Sequence, residues 1–145
     1  MTAATQARGF VLDNSVLCGW FLANQASDYG DAVAQQLRHV DAHAPWLLQL
    51  ECTNVLRTAC RRGVMTIGSA HTVVDQVNLL PIHIDPTPPQ PANLLSLALR
   101  FGLTSYDAAY LELALRLQLP VATGDAELAE AAWASGVGVL AVGSA

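Results

Sequence analysis

The chain has 145 residues, 52% of them hydrophobic, and a formal net charge of −5, which is the size of one ordinary domain able to bury a full core. All 7 basic residues are arginine, so a phosphate loop ending in Gly-Lys and Schiff-base chemistry on lysine are excluded, and the acidic balance argues against a broad basic platform for nucleic acid. No apolar run reaches the length of a membrane span, residues 1–8 lack the pattern of a signal peptide, and the 3 cysteines have no paired spacing, so free, mostly buried thiols and a cytoplasmic location are expected.

Taken in order, the sequence alternates strand and helix. An apolar strand over 10–13 ends at Asp13 and gives way to a helix over 15–23, in which the adjacent Trp20 and Phe21 cannot both point inward. A helix over 28–42 follows; it would carry His39 close to His43, four residues on, a zinc-like spacing without the Glu of a His-Glu-x-x-His motif. The next strand is predicted over 44–47, and the helix 48–62 after it carries Glu51 in a run that is otherwise apolar. Asn54 lies three residues further, an advance of ~300° that returns to nearly the same face, and Arg62 returns to it after three turns, behind Arg57 and Arg61.

A helix over 67–80 and a strand over 81–84 lead to the proline-rich segment 85–91, which is too short to be more than a loop. Helices over 92–101 and 106–118 are separated by Gly102, and Asp107 stands three residues after Thr104, the spacing of a capping box. A strand over 120–123, a helix over 126–134 beginning just after Asp125, and a strand over 138–142 complete the pattern. Short apolar strands bounded by Pro, Gly or Asp suit a sheet buried on both faces. The expected fold is α/β, a three-layer α/β/α sandwich with a mainly parallel central sheet, formed as a single domain over 1–145.

Asp13 and Asp125 follow strands, Glu51 lies just beyond one, and Asp107 opens a helix, so all are expected at the carboxyl edge of the sheet, where open α/β folds bind ligands. Each has a plainer explanation, since acidic side chains cap helices and favour their first turns. Gathered together with no lysine among them, they suit a hard divalent cation with oxygen ligands, Mg²⁺ or Mn²⁺.

The segments VLDNSV at 11–16, ECTNVL at 51–56, LTSYDA at 103–108 and TGDAEL at 123–128 resemble, in order and spacing, the acidic motifs of PIN-domain ribonucleases. Compact members of this length are typically the toxins of VapBC toxin–antitoxin pairs. Gly124 and Ala126 depart from the bulkier or basic residues that many relatives carry around the last acid. The resemblance implies a Mg²⁺ or Mn²⁺ site, endonucleolytic cleavage of RNA, a homodimer and a cognate antitoxin protein. Asp13 would then be the central ligand, Asp107 and Asp125 would complete the site, and Glu51 would hold water or a second ion. Asn54 would orient Glu51 or the substrate, while Ser15 and Thr123 would support the carboxylates or contact phosphate. Arg62 would meet the RNA backbone, Trp20 or Phe21 would line an antitoxin groove, and segments 94–99 and 111–117 offer apolar faces for dimerisation. Two alternatives remain: a PIN-like module that binds without cutting, and a Mg²⁺-dependent phosphohydrolase, which would normally need a second Asp where this chain has Ser15.

Overall fold

The computed structural model describes residues 8–143. Its centre is β1 (Gly9–Leu12), whose residues are all buried. Such a strand needs cover on both faces, and it pairs in parallel with β2 (Asp41–Pro45) on one side and with β4 (Val121–Ala122) on the other. A further parallel strand, β3 (Ile82–Asp85), joins β2, giving the order β3-β2-β1-β4. The order reverses at β1: the chain moves outward through β2 and β3, then returns to β1's other side. That reversal opens a crevice at the carboxyl ends of β1 and β4, where a parallel sheet exposes whatever follows its strands.

Seven α-helices flank the sheet among the described residues, completing three α/β/α layers. α1 (Asn14–Gly19) packs on α2 (Asp28–Gln36) and on α3 (Leu47–Arg61), which in turn meets α4 (Ile67–Leu79). α6 (Ser105–Leu117) lies on β1, β2 and β4, between α5 (Pro91–Phe101) and α7 (Ala126–Ser135). The core between these layers contains Phe10, Leu12, Leu17, Leu48, Tyr110, Leu111, Leu113 and Leu128, each 2% exposed or less. Burying each such side chain contributes about 1.5–3 kcal/mol, which fixes β1 and α6 against each other and with them the loops that leave their ends. Among the described residues no helix is long and apolar enough to cross a membrane.

Several local expectations give way. The predicted helix over 28–42 ends at Gln36, and Asp41 to Ala44 pair as strand instead. Ala42 favours helix locally, but parallel pairing with β1 and β3 buries it completely and prevails. The supposed His39–His43 helical pair therefore does not exist; His43 is in β2 and stacks on His83 of β3, ring centroids 5.2 Å apart. The expected last strand over 138–142 shrinks to one parallel bridge, Val121 with Val139. Gly138 interrupts it at φ 75°, with Trp133 so close that a β-carbon would lie 3.0 Å from its ring. Trp46, expected in a strand, is instead the 61% exposed residue before α3. In the segment 111–117, Leu111 and Leu113 are core, while Leu115 and Leu117 are partly buried against it. Cys18 and Cys52 are buried, Cys60 is partly so, and all are free thiols.

Candidate functional site

Asp13 is the hinge of the crevice. Its backbone N–H donates to Ala122 O at 3.0 Å, continuing the β1–β4 ladder one step past the strand and holding the residue beside Thr123. Its side chain is 5% exposed. Oδ1 accepts from Asn14 N at 2.8 Å, the N-cap of α1, while Oδ2 accepts from the hydroxyls of Ser15 and Thr123, both at 2.7 Å. Capping and gathering of the carboxylate are thus one arrangement. Burial still raises its pKa above the ordinary carboxylate value, against those three donors, and the charge of Asp125 adds to the rise.

Ser15 and Thr123 each serve two carboxylate-bearing segments. Ser15 Oγ accepts from Gly124 N at 2.9 Å, and Thr123 Oγ1 accepts from Asp125 N at 3.0 Å. The β1–α1 and β4–α7 junctions are therefore bolted together through Asp13. Asp125 caps α7 through Oδ1, which accepts from Glu127 N at 2.8 Å and Leu128 N at 3.1 Å. Its other oxygen has no protein donor among the described residues, so the cap leaves half of the carboxylate available.

Glu51 and Asp107 come from opposite layers. Glu51 stands one turn into α3, and its Oε1 accepts a 2.6 Å hydrogen bond from the hydroxyl of Tyr110, whose ring is fully buried in α6. Burial raises the Glu51 pKa and the Asp13 charge reinforces it, while the tyrosine donor opposes both. Asp107 lies one turn before Tyr110 in α6, with its N–H donating to the N-cap Thr104 Oγ1 at 3.1 Å. Its pKa is pushed up to about 6, first by burial and then by the charges of Asp125, Asp13 and Glu51. The predicted acids thus face one another electrostatically, and among the described residues none has an arginine partner. As placed, no three acidic, histidine or cysteine side chains of the described residues enclose a single coordination point.

Tyr110 is the site residue that sequence reasoning passes over. Its signal was spacing: three residues after Asp107 puts it on that acid's face of the helix. It does for Glu51 what Asn54 was expected to do, for Asn54 is exposed and makes no hydrogen bond to that carboxylate. The arginines do not form one row. Arg62 borders a hollow on the α1 side of α3, whereas Arg57 borders the groove between α3 and α4. Trp20 and Phe21 are both half-buried against the core, and the Trp20 indole N–H donates to Gly30 O at 2.7 Å, tying α1 to α2.

Comparison with known proteins agrees with this fold. Residues 10–134 match the PIN domain family. Ribonuclease VapC12 of Mycobacterium tuberculosis is 33% identical over 120 residues, covering 83% of this chain and 89% of that protein. Ribonuclease VapC1 of the same organism is 35% identical over 97 residues, covering 66% of this chain and 71% of that protein. The crystal structure of PAE2754 from Pyrobaculum aerophilum has the same fold, with a TM-score of 0.66 at 24% identity over 85% of this chain and 78% of that one. The chain belongs to the PIN domain family, with VapC-type proteins among its relatives.

Proposed function

We propose that this chain is a divalent-metal-dependent endoribonuclease, the toxin of a type II toxin–antitoxin pair, acting in the cytoplasm on RNA phosphodiester bonds. The observation that carries the reading is a set of carboxylates from four separate segments, Asp13, Glu51, Asp107 and Asp125, in which Asp13, Glu51 and Asp107 are raised in pKa by burial and by neighbouring acids and no cationic side chain among the described residues relieves them. The family match and the relatives named ribonuclease support the same reading.

The donor set suits Mg²⁺ or Mn²⁺, since it is all oxygen and carries negative charge that a small cation would offset. Such an ion, when bound, supplies Lewis-acid charge to the scissile phosphate and eases deprotonation of the attacking water. In this reading Asp13, Asp107 and Asp125 hold it, with Glu51 beside them. The protein's own contribution is fixation: Ser15, Thr123 and Asn14 lock Asp13, and Tyr110 locks Glu51. Fixed donors cost no reorganisation when charge develops at the phosphate.

Trp20 and Phe21 would border the groove for an antitoxin segment, whose basic side chain would satisfy the carboxylates in the resting pair. A homodimer would use the other end of α3 and the outer face of α5. Trp46, Tyr106, Leu95 and Leu99 are 61%, 62%, 61% and 77% exposed there, beside an apolar hollow of about 600 Å³. The deciding experiment incubates the purified chain with total cellular RNA in Mg²⁺, in Mn²⁺ and in EDTA, then maps the cleavage ends. Discrete ends in either metal and none in EDTA support the reading; no cutting in any condition overturns it.

A further inference from the structure

A polar hollow lies along α3, the helix that carries Glu51. It lies between α3 and the 3-10 turn Ala23–Gln25 with Leu22 before it, and has a volume of about 200 Å³. Asn24, Gln25, Asn54 and Arg62 supply its polar wall, and Leu22 and Val55 its apolar part. Among the described residues the three amides make no side-chain hydrogen bond, and Arg62 has no carboxylate partner. Each amide offers both a donor and an acceptor, so the wall matches the mixed edge of a nucleobase, while the apolar part accommodates its face. Asn54 is three residues beyond Glu51, ~4.5 Å along the helix axis, which sets the hollow about one helical turn from Glu51. A protein partner's apolar helix would leave these polar groups buried and unpaired, at a cost a nucleotide would not incur.

We propose that this hollow is a subsite for one nucleotide of single-stranded RNA flanking the scissile bond, its base read by the amides of Asn24, Gln25 and Asn54 and its phosphate held by Arg62. The proposal rests on the nuclease reading for its substrate class, yet it assigns a base-reading role to residues outside the acidic cluster. It makes this chain selective at one position beside the cut. That position is read on an unpaired strand, since only an unstacked base presents its edge to a hollow of this depth.

The test uses the full chain with short single-stranded RNAs randomised around one cleavable site, read by end sequencing in Mg²⁺. Binding of one fluorescein-labelled RNA in EDTA supplies a readout free of turnover. Asn54→Ala and the double change Asn24→Ala with Gln25→Ala should reduce the preference for one base by roughly tenfold. Arg62→Gln should weaken binding for all sequences and lower the slope of log affinity against log salt by about one. The substituted side chains are exposed, so melting temperatures should match wild type. Unchanged base preference in both amide variants, or an unchanged salt slope in Arg62→Gln, overturns the proposal. So does a change confined to capture of a small protein partner, which would give the hollow to that partner. If the wild type cuts no RNA but binds it in an Arg62-dependent and base-dependent way, the nuclease reading falls and the subsite stands.

Discussion

Replacing Tyr110 with phenylalanine isolates one contact of the site. The ring is fully buried and phenylalanine preserves its packing, so the change removes only the hydroxyl that donates to Glu51 at 2.6 Å. A bond of that length to an ionised acceptor is charge-assisted, and such bonds contribute about 1.5–3 kcal/mol. Glu51 is half-exposed, so water takes over part of the lost donation and the lower bound applies. A loss of about 1.5 kcal/mol lowers the melting temperature of a chain this size by about 5 °C. Cleavage should fall by about tenfold, the rate equivalent of one such bond, because Glu51 is then free to rotate. Tyr110 also holds down the Glu51 pKa against burial and the Asp13 charge, so its loss moves the acid limb of the pH–rate profile to higher pH. Thermal denaturation and a pH–rate series on a fixed RNA read all three effects. A melting temperature within a degree of wild type, with a superimposable pH profile, would refute the idea that Tyr110 positions Glu51.

Asp13→Asn should abolish cleavage while costing no more than about 1 kcal/mol of stability, because asparagine still caps α1 and removes a charge whose burial is unfavourable; activity measured beside a urea melt checks both halves. Saturating Mn²⁺ or Mg²⁺ should raise the wild-type melting temperature, by an amount equivalent to about 2.7 kcal/mol at a hundredfold excess over Kd, and the rise should shrink in Asp107→Asn. In EDTA the same variant should gain stability at neutral pH, since a carboxyl raised from 3.8 to about 6 loses stability as pH climbs through that window; equal melting curves at pH 7.5 would contradict this. His43 has the opposite sign: burial and the stacked His83 hold its pKa below 6.5, so the unfolded chain takes up the proton first and stability falls as pH drops below that value. His43→Gln should flatten the melting-temperature change between pH 7 and pH 5 relative to wild type, and an unchanged slope would remove His43 from the pH response.

The placement of the acids was readable in the sequence because each interrupts or ends an apolar run, and a buried parallel sheet gives polar residues little room except at its edge. For the same reason β1 was placed to within one residue, as GFVL has no polar position where it could face water. What local pattern could not convey was the outcome of long-range pairing. Asp41 and Ala42 read as the end of a helix because alanine favours helix wherever nothing else competes, and pairing with β1 supplies the competition. The last strand is shorter than its apolar pattern suggests because Gly138, which looks like an ordinary strand boundary, has a positive φ. Tyr110 was hidden in a different way: a tyrosine on an apolar helix face looks like core, and it is core, with only its hydroxyl reaching the site.

The pairing of β1 with β4 has a consequence for the chain while it is being made. Asp13 emerges early in synthesis, but Thr123, which fixes its carboxylate, and Asp125, which faces it, lie more than a hundred residues later. Until that late segment leaves the ribosome and docks beside β1, Asp13 is a carboxylate on an unfinished sheet, without the crevice that gives it purpose. In the proposed nuclease, a chain cut off before β4 would lack both Thr123 and Asp125 and so would leave the crevice incomplete. In a protein proposed to cut its own host's RNA, that order of strands would act as a safety catch, withholding a complete site until β4 has docked beside β1.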